Sequence, residues 1–219
     1  MAAHRITLIH ATALSMAPTA GAFAELWPDA ETANLLDDSL STDLAAAGET
    51  TPAIAGRIAA LARYGAEAGA DGILFTCSAF GTAIDAAKSE LTIPVLKPNE
   101  AMIDDALDSG PRIVLLATFA PTIASMVAEF EEAAAARGIS FDLTPHHVPD
   151  AMAALGDGRA DVHDDLIARA AAGFVACDAL VLAQFSMARA RGMIADAPGR
   201  RVVTSPESAV LRMKSLLGA

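Results

Sequence analysis

The sequence repeats itself at an offset of 107 residues, and this repeat limits the possible folds more than any other feature. Three separate segments match at this offset without gaps. Arg5-Ile-Thr-Leu-Ile aligns with Arg112-Ile-Val-Leu-Leu, the run from Asp71 aligns with the run from Asp178, and Val95 and Glu100 align with Val202 and Glu207. One such match is weak, but three at a common offset indicate an internal duplication. We therefore predict two similar βα lobes whose equivalent strand ends face each other across a cleft.

Apolar strand-like runs alternate with helical patterns along the whole chain, which predicts an α/β fold with parallel sheets flanked by helices. We expect an N-terminal lobe from residues 1–98 plus 205–219 and a C-terminal lobe from residues 99–204. The pattern also predicts a strand over Ile139–Leu143 and a loop over His146–Gly158. The first apolar stretch resembles a secretory signal, but its duplicate begins at Arg112, deep in the chain, so we interpret it as a strand.

Composition excludes several classes of function. The net charge is −12 and the Lys and Arg residues form no cluster, which is a poor match for a nucleic-acid-binding protein. No apolar run reaches the roughly 18 residues that a membrane span needs. Two cysteines predict no disulfide framework, so we expect a reducing, cytoplasmic location. A homo-oligomer is compatible with the sequence.

The stretch from Asp71 to Gly81 joins a short apolar run to small polar residues and then to a helical pattern. It places Cys77 where a strand ends and a helix begins. Backbone N–H groups at a helix N-terminus favour negative charge and lower a thiol pKa, so Cys77 is a candidate reactive thiol. The alternative is a buried structural cysteine. Cys177 precedes its strand, and we interpret it as a packed core thiol.

Ligands of parallel α/β folds bind beyond the carboxyl ends of the strands. The candidate residues at those ends are His10, Thr12, Cys77, Ser78, Lys97, Thr118, Gln184 and Thr204. No G-x-G-x-x-G pattern and no Walker loop follows a strand, so no nucleotide cofactor is expected. His146 and His147 are adjacent and lack further ligands at suitable spacing, so we expect no metal site.

Several short motifs resemble the aspartate/glutamate/hydantoin racemase superfamily over essentially the whole chain. They are Thr76-Cys77-Ser78-Ala79, Pro94-Val-Leu with Glu100-Ala101, and Ala117-Thr118 followed by Thr122. The resemblance implies two lobes with an active site between them, no cofactor, and a small carboxylate-bearing substrate. It implies that Cys77 is catalytic and that Ser78 and Thr118 stabilise charge on the substrate. It also implies substrate contacts at the His10 and Thr12 loop, and Thr122 and Lys97 are further candidates for binding.

The sequence departs from the family pattern at Gln184, which stands where the second catalytic cysteine is expected. A side-chain amide neither accepts nor delivers the proton, but it can hydrogen-bond a substrate. Three functions remain open. The first is a racemase or epimerase in which Lys97 or His10 replaces the second thiol. The second is a one-cysteine lyase, decarboxylase or cis-trans isomerase of a small dicarboxylic acid. The third is a non-catalytic protein that binds small carboxylates.

Overall fold

A computed structural model describes residues 3–219, and two kinds of regular element alternate along them. The strands are β1 (Arg5–His10), β2 (Glu31–Leu36), β3 (Gly72–Phe75), β4 (Val95–Leu96), β5 (Arg112–Ala117), β6 (Asp142–His147), β7 (Ala179–Leu182) and β8 (Arg201–Thr204). The α-helices are α1 (Met16–Leu26), α2 (Ser39–Ala47), α3 (Pro52–Glu67), α4 (Gly81–Glu90), α5 (Glu100–Ser109), α6 (Pro121–Arg137), α7 (Ala151–Gly156), α8 (Ala160–Ala172) and α9 (Ser205–Leu216). Short 3₁₀ segments span Ala13–Ser15, Ser78–Phe80 and Phe185–Met193.

The strands form two four-stranded parallel sheets with the same order, β2-β1-β3-β4 and β6-β5-β7-β8. This confirms the predicted α/β class and agrees with a duplication. The register agrees as well. Ile6 pairs with Gly72 in the first sheet, and Ile113 pairs with Ala179 in the second, 107 residues later at both positions. The offset read from the sequence is therefore also the offset of the strand pairing.

The pairing of the edge strands β2 and β6 departs from the 107-residue offset. Arg5 pairs with Glu31, whereas Arg112 pairs with Asp142, so the connection between these strands is longer in the second sheet. The longer helix accounts for this, because α6 has 17 residues and α1 has 11.

The chain divides into two compact units, which are described separately. The first runs through Ala101 and includes Ala209–Ala219, and the second comprises Met102–Ser208. In the first unit, α9 contributes Met213 to a core shared with Ile6 and Leu8 of β1. A side chain at Gly72 would come within 2.5 Å of the Met213 sulfur, so β3 needs glycine where the final helix packs.

In the second unit, two apolar clusters cover the sheet. Leu115 and Val181 belong to one cluster, together with Phe130 of α6. Leu116 and Leu180 belong to the other, together with Ile167 of α8. Neighbouring residues of each strand thus alternate between two buried faces, which is the pattern of a parallel sheet covered by helices on both sides.

The structure differs from the sequence prediction at three elements. Strand β6 begins at Asp142 rather than Ile139, because it is an exposed edge strand without a buried apolar run, and its Pro145 is tolerated at an edge. Helix α7 occupies part of the predicted loop, with only small alanines buried. Helix α2 was not predicted, since Leu40 is its one fully buried residue and its apolar pattern is correspondingly weak.

Within residues 3–219, every helix is too short or too polar to span the apolar core of a lipid bilayer.

Candidate functional site

Cys77 stands just beyond the carboxyl end of β3. The preceding residue extends the sheet pairing, because the Thr76 N–H donates to the Ile9 carbonyl at 3.0 Å. Cys77 itself has an extended backbone and precedes the 3₁₀ turn of Ser78–Phe80. Its side chain is partly exposed and packs against the apolar cluster that contains Phe80 and Ile84. Cys77 is therefore a partly exposed residue at the edge of the core.

Burial raises the pKa of the Cys77 thiol, and the Ala79 backbone N–H acts in the opposite direction with a smaller effect. The expectation of a lowered pKa was wrong for a structural reason. Helix α4 begins only at Gly81, so a 3₁₀ turn rather than the first turn of an α-helix follows the cysteine. The cost of desolvating a thiolate then dominates. Cys77 is accordingly a protonated thiol near neutral pH, suited to donating a proton.

His10 lies at the end of β1 and is completely buried. Its Nδ1 is 3.0 Å from Ser15 Oγ and 2.9 Å from Thr76 Oγ1, and its Nε2 is 2.9 Å from Asn34 Oδ1. Burial lowers the pKa of His10, with the Asn34 hydrogen bond opposing it, so the imidazole is neutral. If the Asn34 oxygen accepts from Nε2–H, Nδ1 accepts from a hydroxyl. Both ring nitrogens thus bind protein groups, and His10 holds Thr76 immediately before Cys77.

The other first-unit candidates also follow strands. Thr12 caps the Ala13–Ser15 turn, its hydroxyl accepting from the Leu14 N–H at 3.4 Å. Ser78 is partly exposed and begins the turn after Cys77. Lys97 follows β4, and its Nζ donates to Asp85 Oδ2 of α4 at 3.0 Å. These residues share the carboxyl edge of the first sheet with Cys77.

In the second unit, Gln184 and Thr118 form one hydrogen-bonded pair. Gln184 Oε1 accepts from the Thr118 backbone N–H at 3.0 Å and from the Thr118 hydroxyl at 3.3 Å. Thr118 is buried and Gln184 is partly exposed. The Gln184 Nε2 atom is buried without a hydrogen-bond partner in residues 3–219. Thr122 lies nearby in sequence, in the first turn of α6, and its N–H donates to the Phe119 carbonyl.

Cys177 is buried before β7, in a core cluster with Leu180 and Ile167. Its thiol donates to the Phe174 carbonyl at 3.4 Å. It is a packed core thiol, as predicted, and lies at the opposite end of the strand from Gln184.

Sequence reasoning missed the supporting residues of both units. The hydrogen-bond partners of His10 are Ser15, Asn34 and Thr76. Asn34 lies on the edge strand β2 and the other two lie in segments that follow strands, so no regular sequence spacing relates them. The second unit holds a group of three charged or titratable residues, of which His163 and Asp164 are buried and Arg189 is exposed. His163 Nδ1 is 2.7 Å from Asp164 Oδ1, and Arg189 Nε donates to both Asp164 oxygens. A helical pattern gives no signal for such a group.

No set of three or more His, Cys, Asp or Glu side chains within residues 3–219 is arranged to hold a metal ion. His146 and His147 lie on β6, where the His146 ring contacts Phe174 edge to face at 5.1 Å between centroids.

The profile of the family described as Asp/Glu/Hydantoin racemase matches residues 12–213. Similar solved structures include the allantoin racemase from Klebsiella pneumoniae, with a TM-score of 0.73 and 20% identity, covering 99% of this chain and 88% of that one. An aspartate racemase homologue from Pyrococcus horikoshii OT3 has a TM-score of 0.71 and 16% identity, covering 100% of both chains. Glutamate racemase isoform RacE1 from Bacillus anthracis has a TM-score of 0.69 and 13% identity, covering 100% of this chain and 83% of that one. Among curated proteins, no sequence match was found.

Proposed function

This chain belongs to the Asp/Glu/Hydantoin racemase family, and we propose that it is a cofactor-independent isomerase that transfers a proton through Cys77. The proposed substrate is a small carboxylate-bearing molecule such as an amino acid or a hydantoin. The observation that carries the proposal is the partly exposed thiol at the carboxyl end of β3, in a chain with the fold of the racemases. Neighbouring hydroxyls of Ser78 and Thr12 are the proposed substrate contacts in the first unit.

The thiol suits a carbon acid in both directions of transfer. As a thiolate, Cys77 removes the proton from the substrate α-carbon, and the electron pair stays on that carbon and its carboxylate. As a thiol, it returns a proton to the same carbon. A raised pKa makes the thiol a weaker acid but makes its thiolate a stronger base, which helps to remove a weakly acidic proton.

A second acid or base is harder to assign. Gln184 has no titratable proton, the ring nitrogens of His10 are both engaged inside the protein, and Lys97 is paired with Asp85. This favours a second candidate function, in which Cys77 works alone. In a one-cysteine decarboxylase of substituted malonates, the thiol protonates the carbanion left after carbon dioxide departs. In a cis-trans isomerase of a dicarboxylic acid, the thiolate adds to the double bond and leaves after rotation.

The deciding experiment is proton exchange in deuterium oxide, followed by NMR over amino acids, hydantoins and substituted malonates. The proposed isomerase exchanges the α-hydrogen of at least one amino acid or hydantoin, and chiral analysis shows whether inversion accompanies exchange. Carbon dioxide release from a malonate supports the lyase instead. Cys77→Ser is the control, and we expect a loss of turnover of about 10²- to 10⁴-fold with substrate binding nearly unchanged. Binding of these substrates without turnover of any of them would contradict both proposed activities and support a non-catalytic carboxylate-binding protein.

A further inference from the structure

The side-chain amide of Gln184 has an orientation that its surroundings fix. The oxygen and nitrogen of such an amide have nearly the same shape, and usually only the hydrogen-bond network distinguishes them. Here the Thr118 backbone N–H points at the amide at 3.0 Å. A backbone N–H only donates, so the atom facing it must be Oε1. The NH₂ group is therefore turned away from Thr118.

This leaves two N–H donors without an acceptor. Nε2 is buried and has no hydrogen-bond partner within residues 3–219. The residues that precede Thr118 and Gln184 are Ala117 and Ala183, whose side chains offer no acceptor. A buried donor without a partner is unfavourable, and native structures seldom keep one without a reason. Gln184 as a whole residue is partly exposed, whereas its Nε2 atom is buried.

We propose that Gln184 is a specificity-determining residue whose NH₂ group binds an oxygen acceptor of the ligand. A carboxylate or carbonyl oxygen satisfies these donors, whereas a group that only donates, such as an ammonium, is rejected at this position. The inference rests on the proposed function, because it assumes a small acid as substrate. It adds that the substrate presents a hydrogen-bond acceptor oxygen to the second unit.

The duplication gives Gln184 a counterpart in the first half of the chain. Gln184 is the counterpart of Cys77, so the same place in the repeat carries a proton-transferring thiol in one half and a hydrogen-bonding amide in the other. Thr118 supplies both contacts to Oε1 and acts as the positioning residue that keeps the donors turned away from Thr118.

The sequence offers a direct probe, because Gln184 is its only glutamine. Protein labelled with side-chain [¹⁵N]glutamine gives a single NH₂ resonance pair. We would titrate it with isobutyrate, isobutyramide and isopropylammonium, which share one branched skeleton. We expect the pair to shift with isobutyrate and isobutyramide, both of which carry an acceptor oxygen, and to stay in place with isopropylammonium.

Two variants test the polarity itself. Gln184→Glu keeps an oxygen facing Thr118 but replaces the donors by a carboxylate oxygen, so isobutyrate affinity should fall by at least about tenfold. Gln184→Met keeps a side chain of similar length without any donor, and its affinity for isobutyrate should be about five- to tenfold lower than that of the parent protein. Ser186→Ala, two residues further on, is the control and should bind isobutyrate within about twofold of the parent protein. Thermal unfolding of each variant establishes that it is folded.

The proposal is overturned if no probe shifts the Gln184 resonances, or if Gln184→Met and the parent protein bind isobutyrate equally well. A shift with isopropylammonium as large as that with isobutyrate also overturns it. These readouts measure binding alone. A protein that shows the predicted ligand polarity at Gln184 but never exchanges an α-hydrogen would contradict the proposed function and support this inference. A protein that exchanges an α-hydrogen but shows no such polarity would support the proposed function and contradict this inference.

Discussion

The carboxyl edges of the two sheets share one strand order but differ in chemistry. In the first unit, His10, Ser15 and Thr76 form a buried polar network beside Cys77. Their counterparts at the 107-residue offset are Ala117, Thr122 and Ala183. The strand order and the register of the central strands are equal in the two units, so these side-chain differences occur at equivalent strand ends.

This contrast indicates a division of roles. Buried polar groups that satisfy one another hold a single arrangement, which suits the positioning of a reactive thiol. The second edge has alanine at two of the three positions and one amide with unused donors, which suits recognition. Burial in a parallel sheet constrains the strand residues of both halves in the same way, whereas residues at strand ends and in loops are less constrained by packing.

The largest expected contrast is between the two thiols. Cys77 is partly exposed and Cys177 is buried, so iodoacetamide should label Cys77 at least about 100-fold faster in the folded protein. Because burial raises the Cys77 pKa, its labelling rate should keep rising as the pH approaches and passes 9.0. Peptide mass spectrometry over a pH series measures both rates.

The denatured protein is the control, since both thiols should then react at similar rates. Equal labelling in the folded state would show that Cys77 is not the accessible thiol and would remove the basis for assigning catalysis to it.

Gln184→Cys tests whether the lost symmetry can be restored. A thiol at the counterpart of Cys77 adds a second acid or base, and inversion at a carbon requires removal of the proton on one face and addition on the other. Racemisation of a substrate identified by deuterium exchange should appear or rise by about tenfold or more, since acid–base groups contribute about 10²-fold or more when well placed. Gln184→Ser, with a hydroxyl that is a poor base, is the matched control. Equal racemisation by both variants would show that position 184 takes no part in proton transfer.

Removal of single hydroxyls compares the two edges in stability. Thr76 Oγ1 contacts His10, Ser15 and the Ile9 carbonyl, whereas Thr118 Oγ1 contacts only Gln184 Oε1 among the contacts described. Thr76→Val should lower the free energy of unfolding by about 1–3 kcal/mol, because it leaves buried partners unsatisfied. Thr118→Val should lower it by about 0.5–1.5 kcal/mol, a typical net value for one hydrogen bond. Urea unfolding measures both, and a larger loss for Thr118→Val would contradict the network's role.

The buried histidine gives the first unit an acid sensitivity of its own. Burial lowers the pKa of His10 below its ordinary value, so between the two values the unfolded chain binds a proton that the folded chain does not. This contribution to stability is complete above about pH 6.5 and declines as the pH falls below it. His10→Gln removes this part of the pH dependence. Unfolding free energies measured over a pH series should therefore decline less steeply for the variant, and parallel curves would show that His10 does not titrate in this way.

The two edges also show which features a sequence can predict. The α/β class and the similarity of the two halves follow from apolar periodicity and from the 107-residue offset, because burial on both faces of a parallel sheet constrains every strand residue. The position of Cys77 after β3 follows for the same reason. The raised pKa of its thiol does not, because it depends mainly on how deeply the surrounding residues bury the thiol and less on the backbone N–H groups that follow it.

Long-range polar contacts were beyond sequence reasoning for a different reason. Asn34 reaches His10 from the edge strand β2, and Arg189 reaches Asp164 from the segment after β7. Such contacts join residues far apart in sequence, and each one depends on side-chain directions that no local pattern specifies. Gln184 was a candidate from the alignment of the two halves, but only its contact with Thr118 fixes the direction of its donors.

The smallest expected difference concerns the aspartates that begin the β3 and β7 repeats. Both accept a backbone N–H, Asp71 from Arg5 at 2.8 Å and Asp178 from Arg112 at 2.9 Å. Asp178 also binds the Arg112 guanidinium through both of its oxygens, whereas the additional neighbour of Asp71 is His4 at 3.7 Å. The Arg112 hydrogen bond is the main reason that the pKa of Asp178 lies below its ordinary value. The two positions are thus equivalent in backbone contacts and differ in charge pairing.

Asp71→Asn and Asp178→Asn form the matched comparison. The asparagine oxygen can still accept the backbone N–H, so Asp71→Asn should change the urea midpoint little. Asp178→Asn should lower it slightly more, because the guanidinium loses its charged partner. The lowered pKa means that this contribution is complete above about pH 3.8 and is lost as the pH falls through the folded-state pKa. The gap between Asp178→Asn and the parent protein should therefore narrow in acid, while the Asp71→Asn gap stays small throughout. A larger effect at Asp71, or an Asp178 gap that does not narrow, would show that the Arg112–Asp178 charge pair does not distinguish the two halves.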